Sequence, residues 1–328
     1  MLTRACPPAL PMETTTAPNP LRTWILRLPG GRRLALGGQP LQPRILGVLN
    51  VTPDSFSDGG RWLDPGAAVA RGLEMLAEGA DLLDLGAEST RPGGGVYGGG
   101  ARTVEPAEEW QRLAPVLDSL RRQTDAPLSV DTRKGEVARR ALDAGADLIN
   151  DIGALADPEV GRAAAAAGCP LVLMHSRGDL ATMQRGIRFG DLLAEVQAEL
   201  AQALERGRAL GVDPDQVVLD PGLGFGKTPE QNLLLLRRLD ALAGLGRPLL
   251  VGASRKSFLG HFAGGTPPER RLPGSLAAAA WAAAGGAALL RVHDVAETVQ
   301  FLAVWREIGR SGLPGQPDQS GSPEAAWT

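Results

Sequence analysis

The amino-acid sequence predicts an α/β protein of the (β/α)8 TIM-barrel class with an N-terminal β-hairpin. Eight short, largely apolar runs alternate with eight helix-like stretches, and eight strand–helix units are the number that closes a barrel. Short continuous apolar runs are typical of parallel strands that are buried on both faces. The alternative, an open doubly wound sheet, usually has a GxGxxG turn after its first strand. Asn50–Ser55 follows the first run here and lacks that pattern, which favours the barrel.

The predicted barrel strands are rich in Leu, Val, Ile and Ala. They are Ile45–Leu49, Leu82–Leu85, Leu128–Val130, Leu148–Ile149, Leu171–Met174, Val217–Leu219, Leu249–Val251 and Ala288–Val292. The predicted helices carry apolar residues at helical spacing. They are Gly66–Glu78, Pro106–Arg122, Glu136–Ala144, Glu159–Ala167, Leu192–Ala209, Glu230–Leu242, Pro273–Ala284 and Val295–Ile308. Gly-Ala-Asp occurs at both Gly79–Asp81 and Gly145–Asp147, where a glycine C-cap is followed directly by a strand.

A β-hairpin is predicted ahead of the first barrel strand. Thr23–Leu28 and Arg33–Leu36 flank the turn sequence Pro29-Gly30-Gly31, and two apolar runs around such a turn are typical of a hairpin. The hairpin could cover the N-terminal mouth of the barrel, or it could be an edge ribbon with no role in chemistry.

The domain prediction is one barrel with two irregular tails. Residues 1–20 are rich in Pro and Thr, and residues 311–328 are rich in Gly, Pro, Ser and Gln. Such segments bury little apolar surface, so we expect both to be disordered. Residues 21–310 are predicted to form a single (β/α)8 barrel domain. Met12 is an alternative to Met1 as the start of the chain.

Composition narrows the class of protein. The formal net charge of −3 gives no overall field that attracts nucleic acid or an anionic membrane. The two cysteines, Cys6 and Cys169, form neither a disulfide framework nor a CxxC site. The sequence has no apolar run long enough to cross a membrane and no apolar signal-peptide stretch near its start. We therefore expect a cytoplasmic protein with no nucleic-acid or membrane partner.

Polar residues close or follow the predicted strands. They include Asn50, Asp84, Asp131, Asn150, His175, Asp220, Ser254–Ser257, Arg291 and His293. Any one of them could be a helix cap or a loop anchor. Charged groups at the ends of buried strands cost desolvation energy unless they are paired, and in a barrel these strand ends meet at one mouth. Their shared position therefore predicts an active site.

Gly222–Thr228 resembles a phosphate-binding loop only superficially. A Walker pattern needs glycine at the position of Pro221, so the nucleoside-triphosphatase interpretation fails by one residue. The glycines instead indicate a loop whose backbone comes close to a ligand or takes positive φ angles.

Eight motifs occur in a fixed order between residues 47 and 294. They are Gly47–Gly60, Asp84–Gly93, Ser129–Thr132, Asn150–Asp151, Met174–His175, Leu219–Lys227, Gly252–Ser257 and Arg291–Asp294. In this order they resemble the motifs of the dihydropteroate synthases. The resemblance covers about residue 44 to 310, and it is specific because the motifs occur together.

The resemblance implies a function and a set of site residues. The family condenses 6-hydroxymethyl-7,8-dihydropterin diphosphate with 4-aminobenzoate in folate biosynthesis, uses Mg²⁺ and commonly forms homodimers. It implies that Lys256, Arg291, His293, Thr90 and Arg91 are catalytic and that Asn50 helps to bind Mg²⁺. The implied substrate-binding residues are Thr90, Pro92, Asp84, Asp131, Asn150, Met174, Asp220, Phe225, Lys256, Ser257, Arg291, Val292 and His293.

These residue types suit that chemistry. Carboxylates accept hydrogen bonds and an Asn both donates and accepts, as recognition of a reduced pterin requires. Arg291 offers a planar fork for phosphate oxygens, and Asn50 is an oxygen ligand of the kind that Mg²⁺ accepts. No protein nucleophile is needed, so both cysteines are expected to be spectators.

The sequence departs from the family's usual motifs at two places, and two other functions are compatible with it. The Gly93–Gly100 loop is longer and richer in glycine than the family's usual segment, and Ser176-Arg177 stands where Met-Gln or Met-Arg is common. One rival is a methyltransferase that binds methyltetrahydrofolate and serves a corrinoid partner. The other is a paralogue that binds a pterin without catalysis. The Ala-rich stretch Ala277–Ala288 could pack in a homodimer or within one chain.

Overall fold

The computed structural model describes residues 22–37, 42–51, 64–88, 104–178, 183 and 186–310. The strands within these residues are β1 (Thr23–Arg27), β2 (Arg33–Gly37), β3 (Arg44–Asn50), β4 (Leu82–Gly86), β5 (Leu128–Asp131), β6 (Leu148–Asp151), β7 (Leu171–Met174), β8 (Val217–Asp220), β9 (Leu250–Val251) and β10 (Leu289–Val292). The α-helices are α1 (Pro65–Ala77), α2 (Pro106–Gln123), α3 (Gly135–Asp143), α4 (Pro158–Ala167), α5 (Leu192–Ala209), α6 (Pro229–Arg237), α7 (Ser257–Phe262), α8 (Leu272–Ala284) and α9 (Val295–Arg310).

Strands β3 to β10 form the predicted barrel. They make one parallel sheet in the order β8-β7-β6-β5-β4-β3-β10-β9. The two ends of that order meet where Leu219 of β8 bridges Leu249, directly before β9. A helix-bearing connection separates consecutive barrel strands, as parallel pairing requires. The (β/α)8 prediction is confirmed, and the open-sheet alternative is wrong.

Alternation along the strands divides the apolar residues into two layers. One set, which includes Leu83, Leu85, Ile149 and Leu173, packs with the surrounding helices as the main core. The other set points into the barrel, because successive strand side chains face opposite sides. Towards the N-terminal ends most of this inner layer is apolar, and the buried Ser129 of β5 lies beside its Leu148. The apolar residues of the layer are Leu46, Leu82, Leu148, Val172, Val218, Leu250, Ala288 and Leu289.

The N-terminal hairpin closes this apolar end. Strands β1 and β2 pair antiparallel, with Trp24 opposite Leu36 and Leu26 opposite Leu34. The inward-facing Leu26, Leu28, Leu34 and Leu36 pack directly on the inner apolar layer. The hairpin prediction is confirmed, and of its two possible placements the structure shows the one that covers the N-terminal mouth.

Helix starts follow local capping chemistry. Asp64, Asp157 and Asp191 each accept a hydrogen bond from a backbone N–H in the first turn of α1, α4 and α5. Thr228 and Gln231 form a reciprocal capping box at the start of α6. These side chains satisfy N–H groups that have no partner within the helix. The helices that carry the barrel loops therefore begin at fixed positions.

Two elements differ from the sequence prediction. The helix predicted over Glu230–Leu242 ends at Arg237, and a 3-10 turn follows at Leu239–Leu245. Arg238 breaks the helix with φ −117° and ψ 42°, a change that the continuous apolar pattern on both sides does not reveal. Helix α7 was not predicted, because six residues are too short to show a helical period. The two predicted disordered tails lie outside the described residues.

No helix in the described part of the chain has the length and apolar character needed to cross a membrane.

Truncating a leucine of the hairpin tests its role in the core. Leu26 is fully buried and Ile25, its neighbour on β1, is 45% exposed. Leu26→Ala should lower the free energy of unfolding by about 2–5 kcal/mol, because it leaves a cavity in the closed end of the barrel. Ile25→Ala is the matched control and should change it by less than about 0.5 kcal/mol. Urea unfolding measures both, and equal losses would contradict the packing described.

Candidate active site

Strand register brings the predicted polar residues to one height at the C-terminal mouth. Asp131 of β5 lies beside Asn150 of β6 and beside Gly86 of β4. Gly86 in turn lies beside Asn50 at the end of β3, and Met174 lies beside Asp220. Because the leucine layer fills the opposite end, the polar side chains of these strands gather in the remaining half of the barrel.

Arg291 is the centre of a buried charge network. Its Nε donates to Asp84 Oδ2 at 2.6 Å, and its Nη2 donates to Asp131 Oδ2 at 2.9 Å. Asn150 Nδ2 donates to the same Asp84 oxygen at 3.0 Å. Asp84 is fully buried, and its Oδ1 has no hydrogen-bond partner among the described residues. A buried acceptor without a partner is costly, and the contacts of Oδ2 with Arg291 and Asn150 offset part of that cost.

At the mouth, burial and neighbouring charges shift the pKa values of the ionisable side chains in opposite directions. Burial raises the pKa of Asp131 to about 7, against the attraction of the Arg291 guanidinium. Burial also raises the pKa of Asp220, against the attraction of Lys256. Burial lowers the pKa of Lys256 to about 8, although the Asp220 carboxylate favours its charged form. The site therefore holds groups that can change charge near neutral pH.

Lys256 contacts the loop that follows β8. Its Nζ donates to the carbonyl oxygen of Leu223 and lies 4.6 Å from the centroid of the Phe225 ring. A Cβ on Gly224 would lie 3.1 Å from the Lys256 side chain. The close approach of this loop to Lys256 thus explains one of its glycines.

Lys227 binds backbone carbonyl groups of the same loop, the one that follows β8. Its fully buried ammonium donates to the carbonyl oxygens of Gly222 and Phe225, at 2.9 and 3.0 Å, and lies 2.9 Å from Nδ1 of His175. Burial lowers the pKa of His175 to about 3, and the Lys227 charge acts in the same direction. A neutral His175 can accept at Nδ1. A Cβ on Gly222 would lie 1.7 Å from the carbonyl oxygen of His175, so that position requires glycine.

His293 meets the loop that follows β9. Its backbone N–H donates to Ser254 Oγ at 3.2 Å, and its Nδ1 lies 3.1 Å from the same oxygen. The loops after β9 and β10 are therefore joined at the point where Lys256 and His293 enter the mouth.

The remaining predicted residues have different surroundings. Met174 is buried with Ile152, Met183 and Phe225, and Ser257 is the first residue of α7. Val292 belongs to the apolar layer between the sheet and the helices. Its side chain is therefore on the opposite side of β10 from Arg291. Thr90, Arg91, Pro92 and the Gly93–Gly100 loop lie outside the described residues.

Glu88 is a site-adjacent residue that the sequence analysis left without a role. Its carboxylate accepts the backbone N–H of Val104 at 3.0 Å and contacts Arg133 and Lys134 at 3.2 and 3.3 Å. Lys134 also pairs with the fully buried Glu109. Glu88 and Val104, the described residues on either side of segment 89–103, are thus joined by a hydrogen bond. One sequence pattern could have identified both Glu88 and Lys227. Each is a charged residue next to a glycine-rich loop that follows a barrel strand.

The described residues do not form a metal centre from protein side chains alone. Within the described ranges, no cluster of three or more His, Cys, Asp or Glu residues could hold a metal ion. Asn50 lies at the C-terminal end of β3, where one side-chain oxygen could join ligands that come from a substrate and water.

Comparisons with known proteins agree on one family. The pterin binding enzyme family matches the chain over residues 46–293. The dihydropteroate synthase of Synechocystis sp. is 44% identical over 284 residues, which cover 85% of this chain and 95% of the relative.

Two solved structures have the same architecture. The Xanthomonas albilineans dihydropteroate synthase with 4-aminobenzoic acid has a TM-score of 0.78 and 45% identity, and the match covers 90% of this chain and 99% of that one. The same enzyme in complex with 7,8-dihydropteroate has a TM-score of 0.75 and 43% identity, with 87% and 98% covered.

Removing the Arg291 charge tests the buried network. Arg291→Gln leaves the Asp84 and Asp131 carboxyls without their cation and should lower the free energy of unfolding by about 3–5 kcal/mol at pH 8. The deficit should narrow towards pH 5. The folded pKa of Asp131 lies above its ordinary value of 3.8, so the folded state takes up a proton as the pH falls and the uncompensated charge disappears.

Arg139→Gln is the control for this measurement. Arg139 pairs with Asp143 on the surface of α3, and both side chains are more than half exposed. Such a pair contributes about 0–1 kcal/mol. Urea unfolding at pH 5 and pH 8 compares the two variants, and a deficit of equal size at both pH values for Arg291→Gln would contradict the role given to Asp131.

Proposed function

We infer that this chain, which belongs to the pterin binding enzyme family, is a dihydropteroate synthase. It condenses 6-hydroxymethyl-7,8-dihydropterin diphosphate with 4-aminobenzoate, and the products are 7,8-dihydropteroate and diphosphate. The observation that carries this conclusion is the 44% identity to a synthase over 95% of the relative's length. Structural neighbours that hold 4-aminobenzoic acid and 7,8-dihydropteroate support the same reaction. These relatives and structural neighbours are named dihydropteroate synthases, which disfavours the methyltransferase and the non-catalytic paralogue.

We propose that the pterin ring binds on the carboxylate and amide floor of the mouth. Asp131, Asn150, Asp220 and Lys256 supply acceptors and donors, which match a ring edge that carries several N–H groups. Asp84 supports this set from within the barrel, because its Oδ2 accepts from both Asn150 and Arg291.

Arg291 and His293 are proposed to hold the diphosphate. The two carboxylate contacts of Arg291 use its Nε and one Nη2 hydrogen, and a guanidinium has five N–H donors in a planar fork. The other donors can reach a phosphate oxygen while the carboxylates keep the side chain in place. Arg291 would then stabilise charge that develops on the departing diphosphate.

Lys256, Phe225, Ser257 and Pro92 are proposed to form the aminobenzoate position. The contact of the Lys256 ammonium with the Phe225 ring supports this, since it places a cation and an aromatic face side by side. Thr90 and Arg91 are proposed to act from segment 89–103, which Glu88 and Val104 flank.

Asn50 is proposed to be the protein ligand of Mg²⁺. An amide oxygen is a suitable donor, and Mg²⁺ usually completes its octahedron with substrate phosphate oxygens and water. When bound, the ion supplies positive charge that stabilises the leaving diphosphate.

The proposed reaction needs no protein nucleophile. The bond between the pterin methylene carbon and the diphosphate oxygen breaks, and its electron pair leaves with diphosphate. The amine nitrogen of 4-aminobenzoate forms the new bond to that carbon and loses a proton. The buried carboxylates stabilise positive charge on the pterin during this exchange. Burial raises the pKa of the Cys169 thiol to about 12, which agrees with a spectator role.

A homodimer and a cytoplasmic location are further proposals. Leu233 and Leu234 of α6, Phe262 of α7 and Trp281 of α8 are between 38% and 51% exposed. Exposed large apolar side chains on neighbouring helices favour a protein–protein contact, and a second copy of the chain would cover them.

Diphosphate release tests the function. Purified chain should release diphosphate only with both substrates and Mg²⁺, and chromatography should show 7,8-dihydropteroate. Lys256→Ala and Arg291→Ala should each lower kcat/KM by about a hundredfold or more, since each removes a cation worth a few kcal/mol in the transition state. Arg139→Ala is the control. Tight pterin binding with no turnover in the unsubstituted chain would favour a binding protein instead.

The pH profile tests Lys256 separately. The pKa of Lys256 is lowered to about 8, so the ammonium is charged below that pH and neutral above it. If its charge is needed, kcat/KM should fall as the pH rises through about 8. Lys256→Arg keeps a charge throughout this range and should abolish the alkaline limb while lowering the plateau. If kcat/KM of Lys256→Arg still falls as the pH rises through about 8, the titrating group is not Lys256.

A further inference from the structure

Arg255 has a backbone conformation that a residue with a side chain seldom adopts. Its φ is +58°, in the left-handed region where glycine is the usual residue. The conformation is fixed from two sides. The Arg255 N–H donates to Ser275 Oγ at 2.9 Å, and its carbonyl oxygen accepts from Arg271 Nη1 at 2.9 Å. Arg271 is itself buried.

The side chain of Arg255 explains why this conformation is kept. Its Nε donates to Asp294 Oδ2 at 3.0 Å, and its Nη2 donates to Asp294 Oδ1. Two parallel contacts between a guanidinium and a carboxylate are stronger and more directional than a single ion pair. The left-handed turn therefore directs Arg255 to the neighbouring loop after β10.

This pair lies beside the residues proposed to act on the substrate. Lys256 follows Arg255, and His293 precedes Asp294. The neighbouring pair, Ser254 and His293, is also joined through Ser254 Oγ. Two adjacent contacts thus join the loop after β9 to the loop after β10, and we name Arg255 and Asp294 the loop clamp.

We propose that the loop clamp positions Lys256 and His293 for the reaction, without touching the substrates itself. This inference rests on the proposed function. Strained backbone persists where surrounding contacts over-determine it, and it concentrates at sites that need fixed geometry. Displacement of reacting groups by about 1 Å can lower a rate by about a hundredfold, which is the scale of effect that a positioning pair produces.

Substitutions that separate the two parts of the clamp test its role. Arg255→Gly keeps a residue that tolerates positive φ and removes the guanidinium, and Asp294→Asn keeps the size of the partner and removes its charge. Each should lower kcat by about tenfold or more, with little change in KM. Arg255→Lys should recover part of the loss. The double variant Arg255→Gly with Asp294→Asn should be no slower than the slower single variant, because both remove one interaction.

Arg238 and Asp240 provide the matched control. They form a similar two-pronged contact, at 3.0 and 3.1 Å, within the turn that follows α6 and leads to the N-terminal end of β9. Arg238→Ala and Asp240→Asn should leave kcat unchanged. Urea unfolding of all variants separates loss of stability from loss of rate. A clamp that serves stability alone would lower the unfolding free energy and leave kcat intact, and that result would overturn the proposal.

A readout that needs no turnover completes the test. The sequence contains three histidines, so the ring signals can be assigned by NMR. Arg255→Gly and Asp294→Asn should move the His293 ring signal in the same way and leave that of the buried His175 unchanged. An unmoved His293 signal in both variants would overturn the clamp. Absence of turnover in the unsubstituted chain would instead contradict the proposed function, and the His293 signal would still decide whether the clamp exists.

Discussion

The buried guanidinium of Arg291 is the constraint on which the mouth of the barrel depends. Asp84 and Asp131 lie on different strands and both point into the barrel, where two carboxylates repel each other. Arg291 contacts both, and this arrangement makes it possible to bury a carboxylate floor at all. The same contacts fix the direction of the guanidinium. One side chain thus serves both the stability of the closed barrel and the charge pattern offered to a ligand.

A second buried cation organises the loop on the other side of the mouth. Lys227 does not face the proposed substrates, yet it binds the carbonyl oxygens of Gly222 and Phe225. Lys256 contacts Leu223 and Phe225 within the same loop. The position of the proposed functional lysine, Lys256, therefore depends on the buried structural lysine, Lys227. Lys227 shapes the loop backbone, and Lys256 is the lysine proposed to contact a ligand.

The barrel, the hairpin and the strand-end polar residues could be predicted because each produces a periodic or local pattern in the sequence. Asp131 and Asn150 could be expected at one height, since both end neighbouring strands. The pairing of Arg291 with Asp84 could not, because 207 residues separate them and several acidic groups compete for the cation. Nor does any local pattern reveal the left-handed backbone of Arg255, which depends on contacts with Ser275 and Arg271. The break at Arg238 was missed because apolar residues continue on both sides of it.

The hairpin leucines that close the N-terminal end of the barrel determine how a ligand can enter and leave the proposed site. Because packed side chains fill the N-terminal end of the barrel, a ligand can reach the proposed site only from the C-terminal side. In the proposed arrangement, the pterin lies closer to the leucine layer than the aminobenzoate does. The pterin would then have to bind first, and the aminobenzoate would cover its way out.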